Sequence, residues 1–154
     1  MYKNIPIDQF LSNKVVIATF FAWFIAQALK VVFGAITEKR FNFKWFVGTG
    51  GMPSSHTAGV SALTTAVGIQ EGVGSALFVV ALMFAVVVIC DAQGFRRATG
   101  KQAEALNKII DDIYWKRGVQ EDRLKELLGH TPVQVFAGLA LGIILPFILY
   151  GFFF

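Results

Sequence analysis

A chain of 154 residues that is 55% hydrophobic and only 16% charged, with 16 phenylalanines, falls outside soluble domains, where roughly a quarter of residues are charged. Its net charge of +4 does not mark a nucleic-acid surface, because the basic residues gather in loops and form no arginine-rich patch interleaved with aromatics. Cys90 is the one cysteine, which excludes a disulfide framework and a thiolate metal site; a buried apolar position is expected for it.

In chain order, residues 15–33 form an apolar stretch of 19 residues interrupted by Gln27 and Lys30, close to the ~20 that span a bilayer. The run is too long for a signal-peptide core and lacks a small-residue cleavage site, so no cleavable targeting segment is expected. Residues 55–69 are short and full of Ser, Thr, Gly and Ala. Such a helix exposes little apolar surface to lipid but lets neighbours approach closely, which places it inside a bundle. Gln70-Glu71-Gly72 marks a turn, after which the valine-rich run 75–90 stops at Asp91. Residues 132–154 are a final apolar run of 23. Backbone groups in hydrocarbon must satisfy one another, so each run is read as a helix. The expected fold is a single all-α membrane domain over 1–154, an integral membrane helical bundle with four transmembrane helices and a cytoplasmic helical insert at 96–128.

Within the insert, Ala98, Gln102, Ala105, Leu106, Ile109 and Ile113 recur at helical spacing, with Lys101, Glu104, Lys108 and Asp111 on other faces. This predicts an amphipathic helix lying on the membrane surface or capping the bundle. Gly118 breaks it, and 120–128 forms a second short polar helix ended by Gly129. With four spans, the first and third loops share a side and carry Lys39, Arg40, Lys44, Arg96, Arg97, Lys101, Lys108, Lys116, Arg117, Arg123 and Lys125, against Lys3 and Lys14 opposite. The positive-inside rule then puts these loops in the cytoplasm and both termini outside, in a membrane read as a bacterial plasma membrane.

Three clusters carry chemistry. Gly50-Gly51-Met52-Pro53-Ser54-Ser55-His56-Thr57 opens the second helix. Its glycines permit close backbone approach, Pro and Ser suit a helix start, and the unpartnered N–H groups make an anion site in which His56 can hydrogen-bond or protonate a phosphate oxygen. Gly129-His130-Thr131-Pro132 again reads as a cap and first turn, so His130 stands at the mouth of the last helix, on the same side as His56. Asp91-Ala92-Gln93-Gly94-Phe95-Arg96-Arg97 closes the third helix on that side. Asp91 can orient a histidine or pair with an arginine, and Arg96 and Arg97 either grip phosphate or anchor topology beside headgroups. Lys30, with Gln27 on the same face, either snorkels or contacts phosphate, and Arg40 is a further cation in the next loop. Cations, helix-end N–H groups and two histidines suit phosphoryl transfer, one histidine attacking phosphorus and the other protonating the leaving oxygen. Nothing suggests a metal pair or a nucleotide loop, so no cofactor is expected.

Pro53-Ser54-Ser55-His56 resembles the Pro-Ser-Gly-His motif of the PAP2 superfamily. Together with Asp91 to Arg97 and Gly129 to Pro132, it makes the chain resemble the divergent PAP2 family, related to acid phosphatases and vanadium haloperoxidases, from about Lys30 to Gly142. The resemblance implies a metal-free lipid phosphatase in which His130 is the nucleophile and His56 the general acid. Lys30 and an arginine would hold phosphate, with Ser54 and Ser55 adding donors. Gln134 stands four residues after His130, where the superfamily carries a carboxylate, and is expected among the substrate-binding residues. The expected function is hydrolysis of a lipid phosphate or diphosphate through a phosphohistidine; the alternative is a non-catalytic lipid-phosphate binder or transporter. Gly138 and Gly142 at GxxxG spacing allow helix contact, including a homodimer.

Overall fold

The computed structural model describes residues 7–39, 51–114 and 131–154. The elements among them are helices: α1 (Ile7–Leu11), α2 (Lys14–Glu38), α3 (Ser55–Glu71), α4 (Ala76–Gln93), α5 (Phe95–Tyr114) and α6 (Pro132–Phe152). Four of these starts are written in the sequence as side-chain caps. Asn13 accepts from Val15 and Val16, Ser54 from Thr57, Ser75 from Phe78 and Thr131 from Gln134, each using an oxygen to satisfy N–H groups of the first turn. Among the described residues, three segments are long and apolar enough to cross a membrane: Lys14–Thr37, Ala76–Gln93 and Pro132–Phe152. The serine- and alanine-rich helix expected inside the bundle is α3. It is 17 residues long and does not reach the length and apolarity of the other three.

Helix α3 is the axis on which α2, α4 and α6 pack. It buries Ala58, Ala62 and Ala66 completely, along with Ser55, Thr57, Gly59, Ser61 and Thr64. The surrounding helices turn small residues inward: Ala18, Ala22 and Ala26 of α2, Ala81 and Ala85 of α4, Gly138 and Gly142 of α6. Their large side chains, among them Phe20, Phe24, Leu77, Phe84, Phe136 and Phe147, point outward. In water this arrangement would leave a large unpartnered apolar surface; in a bilayer that surface meets lipid, and the helices cohere through close contact rather than hydrophobic expulsion.

Helices α3 and α6 run parallel in one register. The Ser54 N–H donates to the Gln134 carbonyl at 2.9 Å, and the Tyr150 hydroxyl reaches Gln70 Oε1 at 3.2 Å, both pairs separated by 80 residues. Between them Gly138 sits on Ser54 and Ala58, and Gly142 on Ala58 and Ala62. A Cβ at Gly138 would lie 2.5 Å from the Ser54 carbonyl oxygen, and one at Gly142 would strike the Ala58 carbonyl oxygen. The GxxxG stripe is therefore spent inside the chain on α3. Helices α2 and α4 run antiparallel to α3: Lys30 meets Ser55, and the Thr64 hydroxyl bridges Val60 O at 2.9 Å and Ala81 O at 3.1 Å. At the end away from Ser54, the Lys14 ammonium donates to the Phe154 carbonyl at 3.0 Å and joins the start of α2 to the end of α6.

One expectation is corrected. Cys90 is exposed rather than buried, because α4 turns only its alanine stripe toward α3 and Cys90 falls on the outward face. In α5, Leu106 and Ile109 of the stripe read from spacing are exposed, whereas Gly100 and Asn107 are buried. The second insert helix, at 120–128, lies outside the described residues.

Because the atoms facing Gly138 and Gly142 include backbone that cannot rotate away, Gly138→Ala and Gly142→Val should each destabilise the bundle by about 1–3 kcal/mol. Gly151→Ala, which meets open space, should not lower the thermal midpoint measured in detergent.

Candidate functional site

The close-packed stripe of α2 explains where Lys30 goes. Ala18, Ala22 and Ala26 recur every four residues on the face against the bundle, and Lys30 is the next position on that face. Its side chain is carried inward and is only 5% exposed. The ammonium donates to Gln27 Oε1 at 3.0 Å, one turn back, and to Ser55 Oγ at 3.4 Å, in the first turn of α3. Gln27 is 4% exposed. A lysine so placed does not snorkel out of the bundle; its aliphatic stem is packed and its head is directed at the start of α3.

The chain before α3 is shaped around that stem. Gly51 has φ +84, and a Cβ there would lie 2.8 Å from Lys30 Cγ. The glycine expected to approach a ligand instead lets the loop close over Lys30. Pro53 is buried behind a cis Met52–Pro53 bond, and Ser54, wholly buried, caps α3 by accepting from the Thr57 N–H at 3.4 Å. The Thr57 hydroxyl donates to Ser54 Oγ at 3.0 Å. Ser55 is buried, whereas His56 is exposed, so the imidazole stands at the open side of the helix start.

The start of α6 is tied to the start of α3. Thr131 and Gln134 form a reciprocal capping box: Thr131 Oγ1 accepts from the Gln134 N–H at 3.4 Å, and Gln134 Oε1 accepts from the Thr131 N–H at 3.1 Å. The Gln134 carbonyl takes the Ser54 N–H. Two parallel helices thus present their N-terminal first turns together, beside a buried ammonium, and these local N–H groups and that ammonium suit an anion.

Asp91 reaches the same end by register. The contact that sets Thr64 level with Ala81 in an antiparallel pair of equal rise sets Ser54 level with Asp91, in the last turn of α4, where the carboxylate is exposed.

Of the residues singled out in the sequence, the structure brings together Lys30, Ser54, Ser55 and Gln134, with His56 adjacent and Asp91 at the same level. Arg96 and Arg97 lie in the first turn of α5, their side chains outside the description. Arg40 and His130 lie outside the described residues. Thr57 was missed; its signal was its place three residues after a capping serine on a helix with no room for an unsatisfied hydroxyl. Gln134, expected at the ligand, has its side-chain oxygen and backbone carbonyl engaged in the joint between the two helix starts.

A membrane bundle of this build, with a serine-capped helix start against a buried lysine, is the class of protein that the sequence motifs anticipated. Residues 11–145 match the divergent PAP2 family, and the chain belongs to that family. It is similar to YuiD, an uncharacterized membrane protein of Bacillus subtilis (strain 168), with 39% identity over 156 aligned positions that cover 94% of this chain and 99% of the relative. No solved structure matches the chain.

Ser54→Ala removes both the cap of α3 and the acceptor of Thr57, and should cost about 1–2 kcal/mol in detergent unfolding. Ser55→Ala leaves the cap intact but removes an acceptor of the buried Lys30 ammonium, and should cost about 1–3 kcal/mol.

Proposed function

We propose that the protein is a membrane-embedded, metal-independent phosphatase of lipid phosphates or diphosphates, working where α3 and α6 begin. The observation that carries this reading is the joined pair of parallel helix starts with the Lys30 ammonium 3.4 Å from Ser55 Oγ. Phosphoryl transfer needs little covalent chemistry from a protein beyond a nucleophile and a proton donor. It needs fixed positive groups around the phosphate oxygens. Lys30, the first-turn N–H groups of α3 and the Ser55 hydroxyl are such groups, and Arg40, Arg96 and Arg97 are arginines that can add guanidinium forks. His130 immediately precedes the cap of α6 in the sequence. In this reading its neutral imidazole attacks phosphorus and the bond to the lipid oxygen breaks. His56 gives that oxygen a proton. Water then cleaves the phosphohistidine, releasing phosphate and restoring both histidines. Asp91 orients an imidazole or an arginine.

The topology follows from the same reading. The basic loops and the site are cytoplasmic, the termini lie outside, α3 is the fourth span, and the outward Leu106 and Ile109 of α5 rest on the membrane interface. A reporter fused to the C-terminus should read outside the cytoplasm in bacterial cells; a cytoplasmic signal overturns this orientation.

The activity test is phosphate release from a panel of lipid phosphates and diphosphates in detergent with EDTA present. His56→Ala should lower turnover by about 10²- to 10⁴-fold, as loss of a general acid does. His130→Ala should abolish it, and Lys30→Ala should lower it about 10²- to 10³-fold. A chelator-sensitive activity, or one indifferent to both histidines, sinks the mechanism.

One observation favours the rival reading, a lipid-phosphate binder or transporter without turnover. Gln134 stands at the position of the superfamily's carboxylate, and its side chain is engaged in the capping box of α6. An amide does not stabilise an imidazolium as a carboxylate does. If the wild-type chain binds the lipids but releases no phosphate, and Gln134→Glu turns release on, the rival is the better reading.

A further inference from the structure

Helices α4 and α6 both lean on α3 and touch each other only sparsely. Each approaches α3 along a strip of small residues, Ala81 and Ala85 on one side and Gly138 and Gly142 on the other. The outer parts of the two helices therefore stand apart. Between them is a groove of about 590 Å³, floored by Ser61, Thr65 and Gly68 of α3 and walled by Leu82 of α4 and Ile143 and Phe147 of α6.

We infer that this groove seats one hydrocarbon chain of the lipid whose phosphate binds at the start of α3, an inference that rests on the lipid-phosphate reading above. Three observations converge on that occupant. First, the groove offers almost no polar partner: the Thr64 hydroxyl is engaged with Val60 and Ala81, and the Thr65 hydroxyl donates to the Ser61 carbonyl at 2.8 Å. Second, the groove reaches the level of the site: Ile89, which lines it, lies two residues before Asp91, and the register of α3 with α4 sets it level with His56. Third, its length fits. Along α4 it runs from Phe78 to Ile89, about 16 Å of helix, against a half-thickness of about 15 Å for the hydrocarbon core. A chain entering from the site end would reach the bilayer midplane without leaving the groove.

The test uses the full chain in phosphatidylcholine vesicles containing a trace of phosphatidic acid with a diazirine in mid-chain. A parallel preparation carries a diazirine-bearing polyprenyl phosphate. After illumination, labelled peptides are mapped. The expected result is label at Leu82, Ile143 and Phe147 at least tenfold above label at Phe20 and Phe24, which face lipid on α2. Excess unlabelled lipid phosphate should compete and phosphatidylcholine should not, and Ile143→Trp should lower groove labelling several-fold. Label spread evenly over the outward residues with both probes, or competed equally by phosphatidylcholine, overturns the inference. A groove closed to both probes in a chain that runs as a dimer assigns the face to a second copy and also overturns it. The readout is binding, not turnover. Selective labelling in a protein inert as a phosphatase would keep the groove and discard the catalytic reading; an active phosphatase with even labelling would do the reverse.

Discussion

The contact between α3 and α6 is the constraint from which the rest of the structure follows. Two helices can run parallel at such short range only where one lacks side chains, and Gly138 and Gly142 provide that strip against the backbone of Ser54 and Ala58. Their register holds over the length of the pair, from the Ser54–Gln134 bond to the Tyr150–Gln70 bond. Parallel packing puts both N-termini at one end of the bundle. The antiparallel neighbours α2 and α4 bring their C-terminal parts to the same end, so the preference for an anion there rests on the local first-turn N–H groups and the Lys30 ammonium.

A lysine drawn into the interior is costly unless polar groups receive it. Here the alanine stripe of α2 delivers Lys30 to that positive end, where Gln27 and Ser55 accept its hydrogen bonds and Gly51 closes over its stem. An ammonium beside two helix starts raises the potential for a negatively charged group, so the same features that look expensive as structure are economical as an anion site. Packing and function are linked through one residue: the stripe that makes α2 fit the bundle also aims its cation.

The bundle reverses the usual distribution of bulk. Small residues hold the helices together and phenylalanines, leucines and valines cover the outside. Close approach along small-residue strips makes the axis tight, but wedges the outer helices apart wherever their flanking side chains are large. The groove between α4 and α6 is a geometric by-product of this design, and it opens toward the solvent in which a lipid's chains already reside.

Much of this was legible in the chain. Helical class followed from apolar runs that cannot satisfy their backbones in any other way. The inner position of α3 followed from its Ser, Thr, Gly and Ala content, and the caps at Ser54 and Thr131 from residue types that take N–H groups. Family membership was carried by the clusters at Pro53–His56, Asp91–Arg97 and Gly129–Pro132. Other features were not legible, because local pattern does not say which neighbour a face will meet. Gly138 and Gly142 could have served a dimer; only the packed chain spends them on α3. Lys30 could have snorkelled; only the phase of the alanine stripe turns it inward. Cys90 had the composition of a core residue, yet the narrow contact of α4 leaves it outside. The capping role of Gln134, by contrast, is local, set by the Thr131-x-x-Gln134 spacing. The sequence by itself determined which segments are helices, where they start and what chemistry stands at their ends, since those depend on neighbours within a few residues. Tertiary structure decided the parallel register, the burial of the lysine and the groove, since each depends on backbones more than 20 residues apart approaching to within contact distance.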